Sequence, residues 1–262
     1  MAILSGHDIA RGAKQRVQIN KTASRSAVAA QWFSVFDLAG NPGAGTLSFG
    51  NTANGVVPTD ATAGYPRIEA FGGGLTGYLS GVEWSSTVAC RMMLVDVLFG
   101  AGAYAFNANT SLATQPSFAS RLPASTYYGL ELWVEAVTAF TGNLTVTVGY
   151  TDAGDVSRSA VLATGAALIV GRKMQIPLAA GGQSIKSITS VAGTVASAGT
   201  FNVMIVRRLW TGRVASIGGG GRDGWDKTLL PQMFDGAALQ MWVAPDSTAT
   251  GIPELTATVL NV

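Results

Sequence analysis

The sequence contains few of the residues that nucleophilic catalysis and metal binding use. Across 262 residues there is one histidine, His7, and one cysteine, Cys90. A Ser-His-Asp or Cys-His arrangement would have to use His7, and a zinc site needs three or four ligands of these types. A single cysteine forms no disulfide within the chain, so we expect Cys90 to be a small core residue. We therefore predict no catalytic residues, no metal site, no cofactor and no enzyme activity.

Charge and long apolar runs are also scarce. Asp, Glu, Lys and Arg make up 12% of the chain, about half of the usual share of roughly 25%. Because a free monomer relies on charge for solubility, this composition indicates a surface that is covered by neighbouring subunits. No uninterrupted apolar run approaches the roughly 18 residues of a membrane span, and the N-terminal residues do not resemble a signal peptide. We expect no membrane partner.

The positive charge is concentrated near the N-terminus. Residues 1–31 carry five basic side chains against one aspartate, a net charge of +4, which leaves −2 for the rest of a chain whose total is +2. We predict an extended basic N-terminal arm over residues 1–50 and a folded body over residues 51–262, because residues 46–64 have the composition of a loop. The arm is either solvated or laid on an acidic protein surface, and nucleic acid is not favoured as a partner. The residues expected to contact that surface are Arg11, Lys14, Arg16, Lys21 and Arg25.

Alternating apolar residues predict strands in the body. In residues 128–154, two alternating stretches flank a turn at 141–143, which predicts a hairpin in which Gly142 adopts a positive φ. In residues 88–99, apolar side chains occupy successive positions, as in a strand that is covered on both faces. Residues 28–36 fit a helix and a strand equally well.

The spacing of these strands predicts the fold class. Roughly eight to ten strands, about 8–15 residues apart and separated by turns, predict an all-β fold, an antiparallel β-sandwich that is jelly-roll-like. Residues 107–125 and 211–227 are predicted to be long loops. Asp152 and Asp155 are expected to close a turn, with calcium ligation as the alternative.

Glu131 and Glu135 lie on one face of a predicted strand, with Trp133 between them. Paired carboxylates beside an aromatic ring are typical of glycosidases, but four residues of strand span roughly 13 Å, beyond the roughly 5–9.5 Å of glycosidase sites. A solvated face is favoured, and contact with a neighbouring subunit is the alternative. Arginines at a strand end are either ordinary end charges or interface residues. The possible interface residues are Trp32, Phe36, Trp133, Arg207, Arg208 and Trp225.

Several stretches, spread in order over the chain, share a sequence pattern of turns and strands. They are KTASRSAVAAQWFSVFDLAGNPGAG at 21–45, VPTDATAG at 57–64, VTVGYTDAGDVSRSA at 146–160, SIKSITSVAG at 184–193, AGTFNVMIVRRL at 198–209 and LLPQMFDGAALQMWVAPDSTATG at 229–251. In this order they resemble a tailed-bacteriophage virion structural protein. The resemblance brings no catalytic residues with it.

The resemblance implies a β-sandwich subunit fitted onto a phage particle. The expected role is a capsid decoration or cement protein that binds the outer shell and is assembled in the host bacterial cytoplasm. Its expected partners are the major capsid protein or another virion protein and further copies of itself, with a trimer favoured. The alternative is a neck, tail or spike component that binds glycan through exposed rings such as Tyr127, Tyr128 and Trp225.

Overall fold

A computed structural model describes residues 6–140, 142–165, 168–194 and 198–262. Strands dominate these residues, and the helices α1 Gly6–Arg11 and α2 Trp225–Thr228 are short, as are the 3₁₀ turns Ala119–Arg121 and Pro123–Ser125. The strands are β1 Ala13–Lys21, β2 Trp32–Ser34, β3 Gly40–Asn41, β4 Asn51–Val56, β5 Gly77–Ser86, β6 Cys90–Ala105, β7 Asn109–Ser111, β8 Leu130–Ala136, β9 Thr145–Thr151, β10 Ser157–Ala163, β11 Arg172–Ile176, β12 Ser187–Gly193, β13 Thr200–Val214, β14 Gly220–Asp223, β15 Gln232–Met233, β16 Leu239–Pro245 and β17 Pro253–Asn261.

One sheet closes on itself. In the described residues its order is β13-β8-β11-β2-β16-β6, and β13 also pairs with β6, which completes the circle. The long strands β6 and β13 pair from Cys90 with Val214 to Ala105 with Thr200. Alternate residues face the interior of this closed sheet, where Met93, Val95 and Met204 pack together.

Two further sheets pack on the outside of the closed sheet. The sheet β14-β5-β17-β1-β3, with β15 beside β5, covers the first half of β6 and the second half of β13, and its core includes Leu79, Met92 and Leu209. The sheet β10-β9-β12-β7 covers the other halves, and its core includes Val148 and Val203. All strand pairs are antiparallel, so the predicted all-β antiparallel class, with sheets packed face to face, is confirmed.

The predicted hairpin of residues 128–154 is wrong in its pairing. Both strands exist, as β8 and β9, but β8 pairs with β11 and β13 in the closed sheet, whereas β9 pairs with β10 and β12. The connection between them therefore carries the chain from one sheet to the next. Accordingly, β8 is buried on both faces and β9 on one. Gly142 has a φ of 94°, as predicted, and Thr141 lies outside the described residues.

The N-terminal segment is not an extended arm where it forms the strand β1. From Ala13 to Asn20 the strand β1 pairs residue by residue with β17. Val17, Ile19 and Lys21 are buried, because alternate side chains of β1 face the core. This segment is therefore an integral strand of the body, and the domain boundary near residue 50 stays a prediction.

Some of the remaining expectations are confirmed and others are wrong. Cys90 is buried, and β6 is buried along nearly all its length, as predicted for residues 88–99. The predicted loop at 211–227 is wrong, because β13 continues to Val214 and β14 and α2 follow. Gly221 permits β14 to pass Trp84, since a Cβ atom there would lie 2.4 Å from the indole ring. Residues 28–36 contain the strand β2. No helix of the described residues has the length and apolar character needed to cross a bilayer.

Candidate functional site

The basic residues predicted to contact a partner do not form one surface. Arg11 ends α1 and is exposed, Lys14 is exposed on β1, and Arg16 on the same strand lies 2.8 Å from the carboxylate of Glu83. Lys14 and Arg16 therefore project from a rigid sheet, and the side chain of His7 lies outside the described part of the chain.

The other two basic residues hold the fold together. Lys21 is buried, donates to the carbonyl groups of Leu38 at 3.1 Å and Pro42 at 3.2 Å, and has a pKa that burial lowers. Arg25 pairs with Asp37 and donates to Val170 O. The expectation that Lys21 contacts a partner is wrong, because its side chain does not reach the surface.

Three of the predicted interface residues are interior. Phe36, Trp133 and Arg207 are buried. The indole of Trp133 donates to Glu131 Oε2 at 2.8 Å and packs edge to face on Trp242, with 4.9 Å between ring centroids. The face of β8 that carries Trp133 therefore looks into the closed sheet rather than toward solvent or a neighbouring subunit.

Trp32 and Arg208 meet in one groove of about 390 Å³. Sequence reasoning named these two residues separately and missed Arg91 and Arg213, which line the same groove. Arg91 lies two residues before Met93, and Arg208 lies two residues after Val206, each on the same strand face. The groove is therefore where the interior of the closed sheet reaches the surface. We call the surface formed by Trp32, Arg91, Arg208 and Arg213 the arginine groove.

The arginine groove has an excess of positive charge. Arg208 pairs with Glu131 at 2.6 Å, and Arg213 lies 3.6 Å from Asp246. The guanidinium of Arg91 lies 5.5 Å from the ring centroid of Trp32 and donates to a backbone carbonyl, and it has no carboxylate partner among the described residues. Arginine beside an exposed ring binds carboxylates in a fixed orientation.

A second surface has almost no charge. In the strands β7, β9, β10 and β12, all of which the structure describes, Arg158 is the one residue of an acidic or basic type, and it pairs with Asp152 at 3.0 Å. We call the outward face of this sheet the uncharged face; β10 and β7 are its edge strands. Its side chains are Asn109, Ser111, Thr145, Thr147, Thr151, Ser157, Ser159, Val161, Ala163, Ser187, Thr189, Ser190 and Ala192.

Two buried polar clusters lie on opposite sides of the closed sheet. On the outer side of the closed sheet, between the two apolar cores, Asp96 pairs with Arg121, and its other oxygen lies 3.6 Å from Arg207. On the inner side, Glu135 lies 2.7 Å from Lys173 and accepts from Asn202 at 3.1 Å. Burial lowers the pKa of Arg207 and, on the inner side, the pKa of Lys173.

The turn after β9 has ordinary turn chemistry. Asp152 Oδ1 accepts from the backbone of Gly154 at 2.9 Å and of Val156 at 3.0 Å, and Oδ2 accepts from Arg158. These hydrogen bonds lower the pKa of Asp152, led by the one from Val156. The ranges that the structure describes hold no group of three side chains suited to a metal ion.

Comparisons with known proteins leave the family open. No family model and no curated protein matches the chain. Solved structures that align with it include infectious bursal disease virus of the Gx strain, at 9% identity over 95% of this chain and 80% of that chain, with a TM-score of 0.17. The VP2 subviral particle of the same virus aligns at 8% identity over the same shares, with a TM-score of 0.20. Scores of this size do not establish a common fold, so the likeness carries no argument.

Proposed function

We propose that this chain is a structural protein of a tailed-phage particle, a capsid decoration or cement protein that stabilises the outer shell through subunit contacts. The observation that carries the proposal is the uncharged face. The charge-poor composition predicts a surface covered by neighbours, and the outward face of one sheet carries no charged side chain in its described strands.

A second copy of the chain is the proposed occupant of the uncharged face. With strands about 4.8 Å apart and roughly 3.3 Å per residue, three strands of seven residues and one of three cover about 400 Å². This is about half of the roughly 800 Å² that each partner buries in a stable complex. Contacts of this size hold when many are made at once, as in a symmetric oligomer on a shell, of which a trimer is the simplest.

The arginine groove is the proposed contact with the shell. Its occupant is an acidic segment of the major capsid protein or of another virion protein. Arg91 is central, because it lacks a carboxylate partner within the described residues and stacks on Trp32, which leaves its guanidinium edge for an incoming carboxylate.

The test is co-sedimentation of the purified protein with particles that were assembled without it. Wild type is expected to bind at saturating, symmetric occupancy. Val161→Glu, which puts charge into the uncharged face, and Arg91→Glu, in the groove, are each expected to lower occupancy at least tenfold. Ile217→Glu is the matched control, since Ile217 is also apolar and 83% exposed but belongs to neither surface. Equal occupancy for all four proteins, or none for wild type, would contradict the proposal.

A neck, tail or spike component that binds glycan is the second candidate. The ring of Tyr128 is 64% exposed beside a pocket of about 330 Å³ that Asp152 and Gln183 also line, a combination suited to sugar stacking and hydrogen bonding. Trp225 is exposed too but lies beside a different sheet, and Tyr127 packs on Phe118. Glycan-array binding that Tyr128→Ala abolishes, with antibody label on the tail in micrographs, would favour this candidate.

A further inference from the structure

Three buried polar side chains stand next to one another inside the closed sheet. Asn202 on β13 lies directly opposite Glu135 on β8, and Glu135 lies directly opposite Lys173 on β11. Asn202 is 0% exposed, and Glu135 and Lys173 are each 2% exposed. A buried ion pair is often no more stable than apolar residues of the same volume, so packing alone does not account for this choice of residues.

Glu135 bridges an amine and a carboxamide nitrogen. Its Oε1 lies 2.7 Å from Lys173 Nζ, and its Oε2 accepts from Asn202 Nδ2 at 3.1 Å. Nζ is also 3.5 Å from Sδ of Met204, which is two residues beyond Asn202 on the same face of β13. The amine therefore contacts a side chain of β13, and the amine and the Asn202 carboxamide both contact the carboxylate of Glu135.

The surroundings exclude water and favour an uncharged amine. Lys173 Nζ lies 4.3 Å from the ring centroid of Trp242, and its side chain is fully buried. Burial lowers the pKa of Lys173, and the negative charge of Glu135 opposes this only in part. A lysine that loses its proton in an apolar pocket becomes a nucleophile.

We propose that Lys173 and Asn202 join in an intramolecular isopeptide bond, with Glu135 as the group that carries the protons. Nζ passes one proton to Glu135 and attacks Cγ of Asn202, so that the Nζ–Cγ bond forms. Glu135 gives that proton to Nδ2, the Cγ–Nδ2 bond breaks, and ammonia leaves. Glu135 then takes the second proton from Nζ, which leaves a neutral amide.

The product removes both charges from the interior. The reactants are an ammonium, a carboxylate and a carboxamide; the products are an amide, a protonated Glu135 and ammonia, so atoms and charge balance. Asn202 Oδ1 is buried and forms no hydrogen bond within the described residues. Once protonated, Glu135 can donate to the amide oxygen, which satisfies a buried oxygen that the unreacted cluster leaves without a partner.

Other buried cations of the described residues lack this arrangement. Lys21 is also buried, but it donates to backbone carbonyls, which offer neither a leaving group nor a proton carrier. Asp96 is surrounded by arginines, whose guanidinium groups stay protonated and do not act as nucleophiles. The site is therefore specific to Lys173 and Asn202, and it does not depend on the proposed function.

The test is the mass of the purified full chain under denaturing conditions. Folded wild type is expected to weigh less than its sequence by one ammonia, and a protease digest is expected to yield one branched peptide that joins Lys173 to Asn202. Glu135→Gln keeps the size of the side chain but cannot carry the protons, so it should retain the full mass. Lys186→Met removes an exposed lysine that pairs with Asp155 and should keep the ammonia loss.

The wild-type result decides the inference even where a variant does not fold. Wild type that is folded by circular dichroism, retains its full mass after prolonged incubation and gives no branched peptide would overturn the bond. Loss of ammonia in Glu135→Gln at the wild-type rate would overturn the role of Glu135. Asn202→Leu provides a second variant, in which the full mass is expected because the carboxamide is absent.

Discussion

The two faces of the closed sheet each bury an ionised cluster, and the clusters differ in their cations. On the outer face, Asp96 lies between Arg121 and Arg207, so two positive charges share one carboxylate. On the inner face, Lys173 and Glu135 are matched one to one, with the Asn202 carboxamide against the same carboxylate. An arginine cannot lose its proton in a protein, whereas a buried lysine can.

This difference separates a structural cluster from a reactive one. Arg121 reaches from a 3₁₀ turn to Asp96 and to the carbonyl of Val97 at 2.9 Å, so the outer cluster ties a loop to the seam between the two outer cores. The inner cluster joins three neighbouring strands that are already hydrogen-bonded to one another. The inner cluster therefore adds little to the links that already hold these strands together. A chemical role explains it better than an anchoring role.

Asp96→Asn is expected to have the largest effect. It leaves Arg121 and Arg207 buried and facing each other without a compensating charge, which should lower the free energy of unfolding by about 3–5 kcal/mol. Chemical denaturation followed by tryptophan fluorescence measures this loss. Asp246→Asn, at an exposed pair with Arg213, is the control and should change stability by about 0.5 kcal/mol or less. Similar losses in the two variants would mean that Asp96 does not neutralise the arginines.

In the Asn202→Leu background, where the proposed bond cannot form, Glu135→Gln is expected to destabilise the protein less than Asp96→Asn does in wild type. Lys173 can respond by releasing its proton, so no uncompensated charge has to stay in the interior, and the loss should be about 1–3 kcal/mol. The same denaturation experiment ranks the two variants. If Glu135→Gln were the more damaging of the two, a lysine that stays charged would be indicated and the comparison would fail.

The pH dependence of the stability of the Glu135→Gln variant tests whether Lys173 releases its proton in the interior. Burial lowers the pKa of Lys173 in the folded chain below its unfolded value of 10.5, so the unfolded chain binds more protons between the two values. The stability of the variant should therefore rise with pH toward 10.5, by up to about 1.4 kcal/mol per pH unit. Denaturation midpoints measured from pH 7 to 10 test this, and the double variant Lys173→Met, Glu135→Gln should show a smaller rise, because only buried Lys21 still contributes to it.

The sequence predicted local features well and the pairing of distant strands poorly. Successive apolar residues in 88–99 revealed a strand covered on both faces, and the turn glycine Gly142 was identified from its neighbours alone. The polar side of β8 was assigned to solvent, because Glu131, Trp133 and Glu135 alternate with apolar residues as they do on an exposed strand. Only the pairing of β8 with β11 and β13, far apart in sequence, turns that side inward.

The inner cluster had a weak signal in the sequence. Lys173 and Glu135 each lie one residue from the end of a strand, where a solvent-facing position is the ordinary explanation, and Asn202 alternates with residues of an apolar strand. Each of the three is unremarkable alone. Their meaning depends on a register that brings residues 135, 173 and 202 side by side, and no local pattern specifies that register.

Arg213→Gln is expected to have the smallest effect on stability and so gives the comparison its lower bound. Its partner Asp246 is 3.6 Å away, and the two side chains are 67% and 45% exposed, so solvent screens the pair and its loss should change stability by about 0.5 kcal/mol or less. Denaturation at low and high salt measures this, with little difference expected between the two. A loss as large as that of Asp96→Asn would mean that the arginine groove is part of the folding core rather than a surface, and its proposed contact with an acidic partner would then have to be abandoned.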